Sequence, residues 1–504
     1  MHAQKAIRRS GVRWFAAGAL ALVAILTLWK MYFGVPVKKP LTLLKAHVGI
    51  QKVLPDPAKI ELAGDWYFLD HVSSGLVGFD HIAGKFKPLL AESWQAFSTG
   101  VHTFTLREDA KFHDGTPITS EDVIASLKRL LIKRTSTHFP LWEYVEGCEH
   151  LKDLTVECPG IHAINHRTVE IRLKHASESF FLQLASPETG IWSHEDIDPK
   201  TLEFKPTKFS GPYYFEKFSG GAAHLIRNEQ SPISKAFEFS PQKIDLVTAK
   251  LDVAQELFQK GEIDVLFKSH NPYGERDWKA LGFDSLASSL STLIYLHGAS
   301  LGGSQKLGRD FINAVWELNS DHEIVKAQKF LPFAGDFSLS EAEFLESLPA
   351  KTAMSVRIAV PWTYLSDGFL KLLVEAGKKV GADVEIVRLD REPWIKSFED
   401  PNSGKHFDFI LAPYAASERY PAVQLRYITG SLRKPIIDLK TAEVPDLTPE
   451  KVAVLREYQK WLLRNQHAVP LFFVRDFFLY QKNIDMGDQP PSDAEIELWR
   501  ISQR

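Results

Sequence analysis

The sequence predicts an α/β protein of two or three domains, and three features point that way. Its 504 residues exceed what one hydrophobic core usually organises. Between residues 251 and 411 strand-like and helix-like segments alternate, the material of a layered α/β lobe. A β-rich block before them carries one clearly capped amphipathic helix. Hydrophobic residues make up 44% and charged residues 24%, which suits a packed globular chain. The net charge of −3, with both signs interspersed, excludes a basic nucleic-acid footprint and an acidic disordered tail, so no nucleic-acid partner is expected.

The N-terminus carries a separate signal. Lys5, Arg8, Arg9 and Arg13 precede an uncharged run from Trp14 to Trp29. Those 16 residues make about 24 Å of helix. That falls short of a hydrocarbon core of about 30 Å. Lys30 can snorkel and Met31, Tyr32 and Phe33 extend the apolar surface, so residues 14–33 just suffice as a transmembrane helix. The basic flank puts the N-terminus in the cytoplasm and everything after Pro36 outside. No small-x-small cleavage pattern follows the run, and no nearby cysteine could accept a lipid. The segment is therefore read as an uncleaved anchor, with a cleaved signal peptide as the competing reading.

Only Cys148 and Cys158 are present. A lone close pair in an exported chain is a candidate disulfide, worth about 2–3 kcal/mol in the chain-entropy model. Two sulfurs at this spacing lack the paired arrangement of a zinc site, and no metal site is expected.

Along the chain, Pro36 to Pro40 reads as a linker. His102 to Arg107 alternates as a half-buried strand does, and Asp114-Gly115 is a turn signal. A helix starts at Thr119, whose hydroxyl can cap it while Asp122 bonds back. Its apolar stripe is Val123, Ile124, Leu127, Leu130 and Leu131. Leu251 to Lys260 is helical and Gly261 stops it, before a strand from Ile263 to Phe267. Ser320 and Glu323 form a capping-box pattern. Strands follow at Ser355 to Val360, Val384 to Leu389 and Phe407 to Leu411, with a helix from Asp367 to Val380 ended by Gly381. Pro449 opens a last long helix, and Leu471 to Tyr480 closes the chain's strands.

The sequence has no Gly-rich phosphate loop, no G-x-G-x-x-G and no H-E-x-x-H. His113-Asp114 is the sharpest local candidate for a general base or metal ligand. Adjacent side chains in a hairpin diverge, and Asp-Gly is foremost a turn former, so the pair is read as structural. No catalytic residue, cofactor or enzymatic activity is expected.

Leu90-Ala-Glu-Ser-Trp94, Thr103-Phe-Thr-Leu-Arg107, Lys111-Phe-His-Asp-Gly-Thr-Pro117 and Thr119-Ser-Glu-Asp-Val123 come in one fixed order. This block resembles the signature of the family 5 extracellular solute-binding proteins, the oligopeptide- and dipeptide-binding components of bacterial ABC importers. Shorter pieces agree in order: Leu54-Pro-Asp-Pro57, Ser210-Gly-Pro-Tyr-Tyr-Phe215, Leu225-Ile-Arg-Asn228, Gly261-Glu-Ile-Asp264 and Val469-Pro-Leu-Phe472.

The resemblance implies a two-lobed periplasmic-binding-protein-like α/β fold with an additional inserted domain, here preceded by the N-terminal segment 1–40. Lobe I would comprise 41–64, 187–268 and 470–504, the inserted domain 65–186, and lobe II 269–469. It also implies a peptide or other small solute held between the lobes and passed to an ABC permease on the outer face of the cytoplasmic membrane.

In peptide binders of this family an aromatic-Gly-x-Asp stretch follows a late strand, and its Asp pairs with the peptide ammonium. The corresponding positions here are Tyr414, Ala415, Ala416 and Ser417, with Glu418 one residue on. A buried ammonium facing a neutral Ser would lack its counter-charge, at a cost of several kcal/mol. Either Glu418 substitutes or the ligand lacks an amine. The alternatives left open are a membrane-tethered sensor on the same fold and a binder of a non-peptide solute.

Overall fold

The structure is a computed structural model. It describes residues 38–504 except 49–55, 61–62, 81–82, 84, 97–99, 134–143, 175–178, 270–280, 301–303, 305, 321–323, 331–337, 362–365, 416–448 and 490–495. The expected anchor at 14–33 lies outside the described residues. Among those that are described, no helix is long and apolar enough to cross a membrane.

Most strands join one 11-stranded sheet. Its order is 383–389, 355–361, 409–415, 284–298, 468–480, 265–269, 44–47, 243–247, 222–227 and 213–219, with 325–326 pairing 468–480 off this path. The sheet holds two parallel trios. Leu44–His47 runs parallel to Lys243–Val247 and Val265–Ser269. Ser355–Pro361 runs parallel to Asp383–Leu389 and Phe409–Ala415. Helices cross between parallel strands and cover the sheet, as parallel pairing requires. Asp367–Val380 is the clearest of them: it spans the expected residues, buries Phe369, Leu372, Leu373 and Ala376, and ends at Gly381 with φ +77°.

Three large cores are separate. One gathers residues between Leu293 and Val474. A second lies between Leu76 and Ile191 around a four-stranded sheet of Ala91–Ala96, Val101–Leu106, Thr168–Arg172 and Ile161–Asn165. The third combines Leu41–Val72 with Trp192–Val265 and Phe478–Ile501, and the helix Ala63–Val72 packs there through Tyr67, Phe68, Leu69 and Val72.

The signature block acts as scaffolding. Asp114 Oδ1 accepts from Thr116 N at 2.9 Å and Gly115 has φ +87°, so Asp114-Gly115 is the turn the sequence announced. The His113 N–H donates to Phe209 O, and His113 Nδ1 accepts from Phe209 N, both across to the third core. The helix Ser120–Lys133 starts just after Thr119, and Asp122 bonds back as expected. Thr119 N and Oγ1 both donate to Asp122 Oδ2, at 2.8 and 3.0 Å, so the hydroxyl gives its proton to the carboxylate. Asp122 Oδ1 in turn accepts from His194 N at 2.9 Å, so one carboxylate organises the helix start and a neighbouring segment. Cys148 and Cys158 are bonded, with Cα atoms 4.9 Å apart, and both are buried in the second core. Within that loop the Lys128 ammonium donates to Leu154 O and Val156 O, and burial lowers its pKa.

Glu323 of the Ser320 pattern lies outside the described residues. Among those that are described, Val325–Lys326 is a short strand that pairs Phe472 and Phe473. A capping box forms at Ser340 and Glu343, at the start of helix Glu341–Glu346.

Candidate ligand cleft at the strand crossing

Two long antiparallel strands, Asp284–Gly298 and Ala468–Tyr480, run from the third core into the first. Phe478 belongs to the third core, whereas Ala468 to Val474 belong to the first. The register between them shifts at Ala287/Leu290 and again at Leu290/Thr292. Bulges of this kind bend a strand and raise its twist, and these two fall where the chain passes from one lobe to the other.

The pairing shows which strand ends meet there. Phe409 pairs Gly298 and Ala415 pairs Thr292, so the carboxyl end of strand 409–415 points to the crossing. Val265 pairs Tyr480 and Ser269 pairs Asp476, so strand 265–269 also ends towards it, from the other side. In open parallel sheets ligands bind outside the carboxyl ends of the strands. Here the carboxyl ends of both trios face one crossing, which makes it the candidate cleft.

His47 ends strand 44–47, buried, and its Nε2–H donates to Ala249 O at 3.0 Å. Burial lowers its pKa below the ordinary 6.5, so it is neutral at pH 7. Tyr414 and Ala415 are strand residues and do not sit on a loop after the strand, as their position after Leu411 had suggested. Pro413 did not break the strand, because at that point only strand 284–298 pairs with it, and a missing N–H is tolerated on an open side. Tyr414 lies opposite Leu293, half-buried against the first core. Burial, with the Tyr295 phenol nearby, pushes its pKa up, so it is a neutral hydrogen-bonding group. Ala416, Ser417 and Glu418 lie outside the described residues.

Sequence reasoning missed Arg475. It is exposed at the crossing, at register with Leu290 between the two bulges, with no carboxylate partner among the described residues. A signal for it was available: Arg475-Asp476 interrupts the otherwise apolar run from Leu471 to Tyr480. A charge inside a core-forming strand calls for a reason. Thr292, buried beside the same bulge, carried no such signal. No group of His, Cys, Asp and Glu suited to a metal occurs among the described residues.

Residues 85–293 match the model of bacterial extracellular solute-binding proteins, family 5 middle region. Over that stretch the chain is similar to family 5. The chain is 32% identical over 145 residues to the periplasmic oligopeptide-binding protein OppA of Escherichia coli, which is 27% of this chain and 26% of that protein. The aligned stretch thus spans about a quarter of that relative. Solved structures extend the likeness in fold. The murein tripeptide binding protein MppA of Escherichia coli superposes with a TM-score of 0.74 at 17% identity, over 93% of this chain and 99% of that one. A periplasmic oligopeptide-binding protein from Borrelia burgdorferi gives 0.74 at 18% identity, over 92% and 100%. The two-lobed periplasmic-binding-protein-like fold is therefore that of this chain.

Proposed function

We propose that this chain is an extracytoplasmic solute-binding protein that captures a peptide or peptide-like ligand between its lobes and delivers it to an ABC permease. The observation that carries this reading is the convergence of the carboxyl ends of both parallel trios on one bulged, two-strand crossing. Such a connection lets two cores close on each other by small backbone changes at a few residues, the hinge type of domain motion. The exposed Arg475 at this point suits a ligand carboxylate, which a peptide supplies at its C-terminus. Native mass spectrometry of the purified protein should show a bound small molecule. Calorimetry with pools of short peptides should give saturable heat, with a fall in radius of gyration by X-ray scattering. No heat and no compaction with any pool would sink the peptide reading.

Residues 14–33 are further proposed to hold the protein on the outer face of the cytoplasmic membrane. The basic residues before Trp14 and the unsuitable cleavage positions Lys30 to Phe33 support that reading. Intact mass of membrane-extracted protein should include residues 14–33. A mature N-terminus near residues 30–40 would overturn it.

A further inference from the structure

The edge of the large sheet carries a constellation that the ligand cleft does not use. Strands Tyr213–Ser219 and Ala222–Arg227 form a hairpin turned by Gly220 and Gly221, with φ +60° and +75°. Positive φ at both central residues is the turn that two-residue hairpins favour. Strand Lys243–Val247 pairs with the hairpin on its inner side. In this register Asp245 lies directly opposite His224. His224 in turn pairs Lys217, two residues before Ser219, so Ser219, His224 and Asp245 share one face of three adjacent strands.

Their side chains meet. His224 Nδ1 lies 2.6 Å from Asp245 Oδ1, and His224 Nε2 lies 2.9 Å from Ser219 Oγ. A carboxylate only accepts, so the ring proton is on Nδ1. A neutral ring then presents its Nε2 lone pair to the serine hydroxyl. His224 Nε2 also lies 3.1 Å from Ser219 O, an acceptor that would stabilise the ring once it is protonated. Ser219 is exposed, whereas the Asp245 side chain keeps only 19% of its surface, so the hydroxyl is reachable and the orienting carboxylate is sheltered. Open space lies over both turn glycines, and among the described residues neither amide N–H donates to an acceptor. Nucleophile, base, orienting acid and neighbouring N–H donors are the parts that acyl transfer needs.

The geometry points to a second, hydrolytic activity at this hairpin: cleavage of small acyl esters through Ser219. The Ser219 hydroxyl adds to the ester carbonyl as its proton passes to His224 Nε2. The Gly220 and Gly221 N–H groups, next in the chain, are the donors assigned to the oxyanion. Collapse breaks the ester C–O bond, and the His224 proton goes to the leaving alkoxide. Water, deprotonated by His224, then releases the acyl group from Ser219 as a carboxylic acid. No oxidant, metal or cofactor enters the balance. The competing reading is structural, since a His–Asp pair directly opposite across two strands also stabilises an edge hairpin.

The test uses the full chain with a biotinylated fluorophosphonate and with p-nitrophenyl acetate. Expected is a stoichiometric adduct mapped by mass spectrometry to Ser219. Ser219→Ala should lose at least about 10²-fold in ester hydrolysis, the scale of one general-base-assisted nucleophile. His224→Gln should slow adduct formation, since labelling requires the base whereas a structural pair does not. All variants are checked for native circular dichroism and for capture of the cleft ligand. No adduct on Ser219, or a wild-type hydrolysis rate in folded Ser219→Ala, overturns the proposal and leaves the solute-binding reading untouched.

Discussion

Replacing Asp56 with Ala should destabilise the folded protein by about 3–5 kcal/mol, the cost of leaving a buried charge without its partner. Arg129 reaches from the helix Ser120–Lys133 to Asp56, with Nη1 2.7 Å from Oδ1 and Nη2 2.9 Å from Oδ2. The two side chains keep 10% and 4% of their surface. Asp56 Oδ1 also accepts from Ala58 N, and Arg129 donates to Leu202 O and lies over the Phe204 ring. This pair thus ties three distant segments together. Burial alone would push the Asp56 carboxyl up, but the Arg129 hydrogen bonds and charge outweigh it and hold the pKa below 3.8. A lowered folded pKa gives stability that is present above the unfolded value. That stability is lost as pH falls through the folded value, so the contribution should fade only below about pH 4. Urea unfolding of wild type and variant at pH 7 and pH 3 measures both effects. The difference should shrink at the lower pH, and Asp56→Leu with Arg129→Met should recover most of the loss. A cost under about 1 kcal/mol at pH 7 would show that the pair is not the tie described here.

The short sequence pieces outside the signature block turn out to be places where backbones touch, which explains why they were legible as motifs but not as chemistry. A Cβ on Gly211 would lie 2.4 Å from Val72 C and Ser73 N, so only glycine lets helix Ala63–Val72 end against this segment. Ser210 Oγ donates to Ile191 O and accepts from Ser74 N, while Asn228 Nδ2 donates to Gly211 O. Asp264 accepts from Lys45 N at 2.8 Å, and its pKa is raised by burial. Local periodicity located Asp367–Val380 to the residue because its stripe, cap and terminal glycine all agreed. Strand 325–326 was not legible in this way, because its pairing with Phe472 and Phe473 is not written locally. The cleft was hardest to read for the same reason. Thr292, Tyr414 and Arg475 are separated by more than a hundred residues in part and are brought together only by register. The triad-like cluster at Ser219 matched no motif, since its members come from three strands.

Arg475→Ala should weaken ligand binding by about 2–5 kcal/mol if the ligand carries a carboxylate or another anion, the scale for losing one partner of a desolvated charge pair. Arg475 is an exposed cation at the crossing, and its strand is fixed on both sides by pairing, so the guanidinium is carried by a rigid element. Arg475→Lys should recover only part of the loss, because an ammonium cannot give the parallel two-point bond that a guanidinium gives a carboxylate. Glu418→Gln probes the other end of the ligand. If Glu418 meets a peptide ammonium, its amide variant should lose a similar amount, since a neutral side chain cannot supply the counter-charge. Tyr414→Ala should cost less, because the half-buried ring offers a stacking face and not a charge. Calorimetry of Arg475→Ala, Glu418→Gln and Tyr414→Ala with the co-purified ligand separates the cases. Loss in both Arg475→Ala and Glu418→Gln marks a zwitterion such as a peptide. Loss in Arg475→Ala alone marks an anion without an amine. Wild-type affinity in all three would remove the crossing as the ligand site.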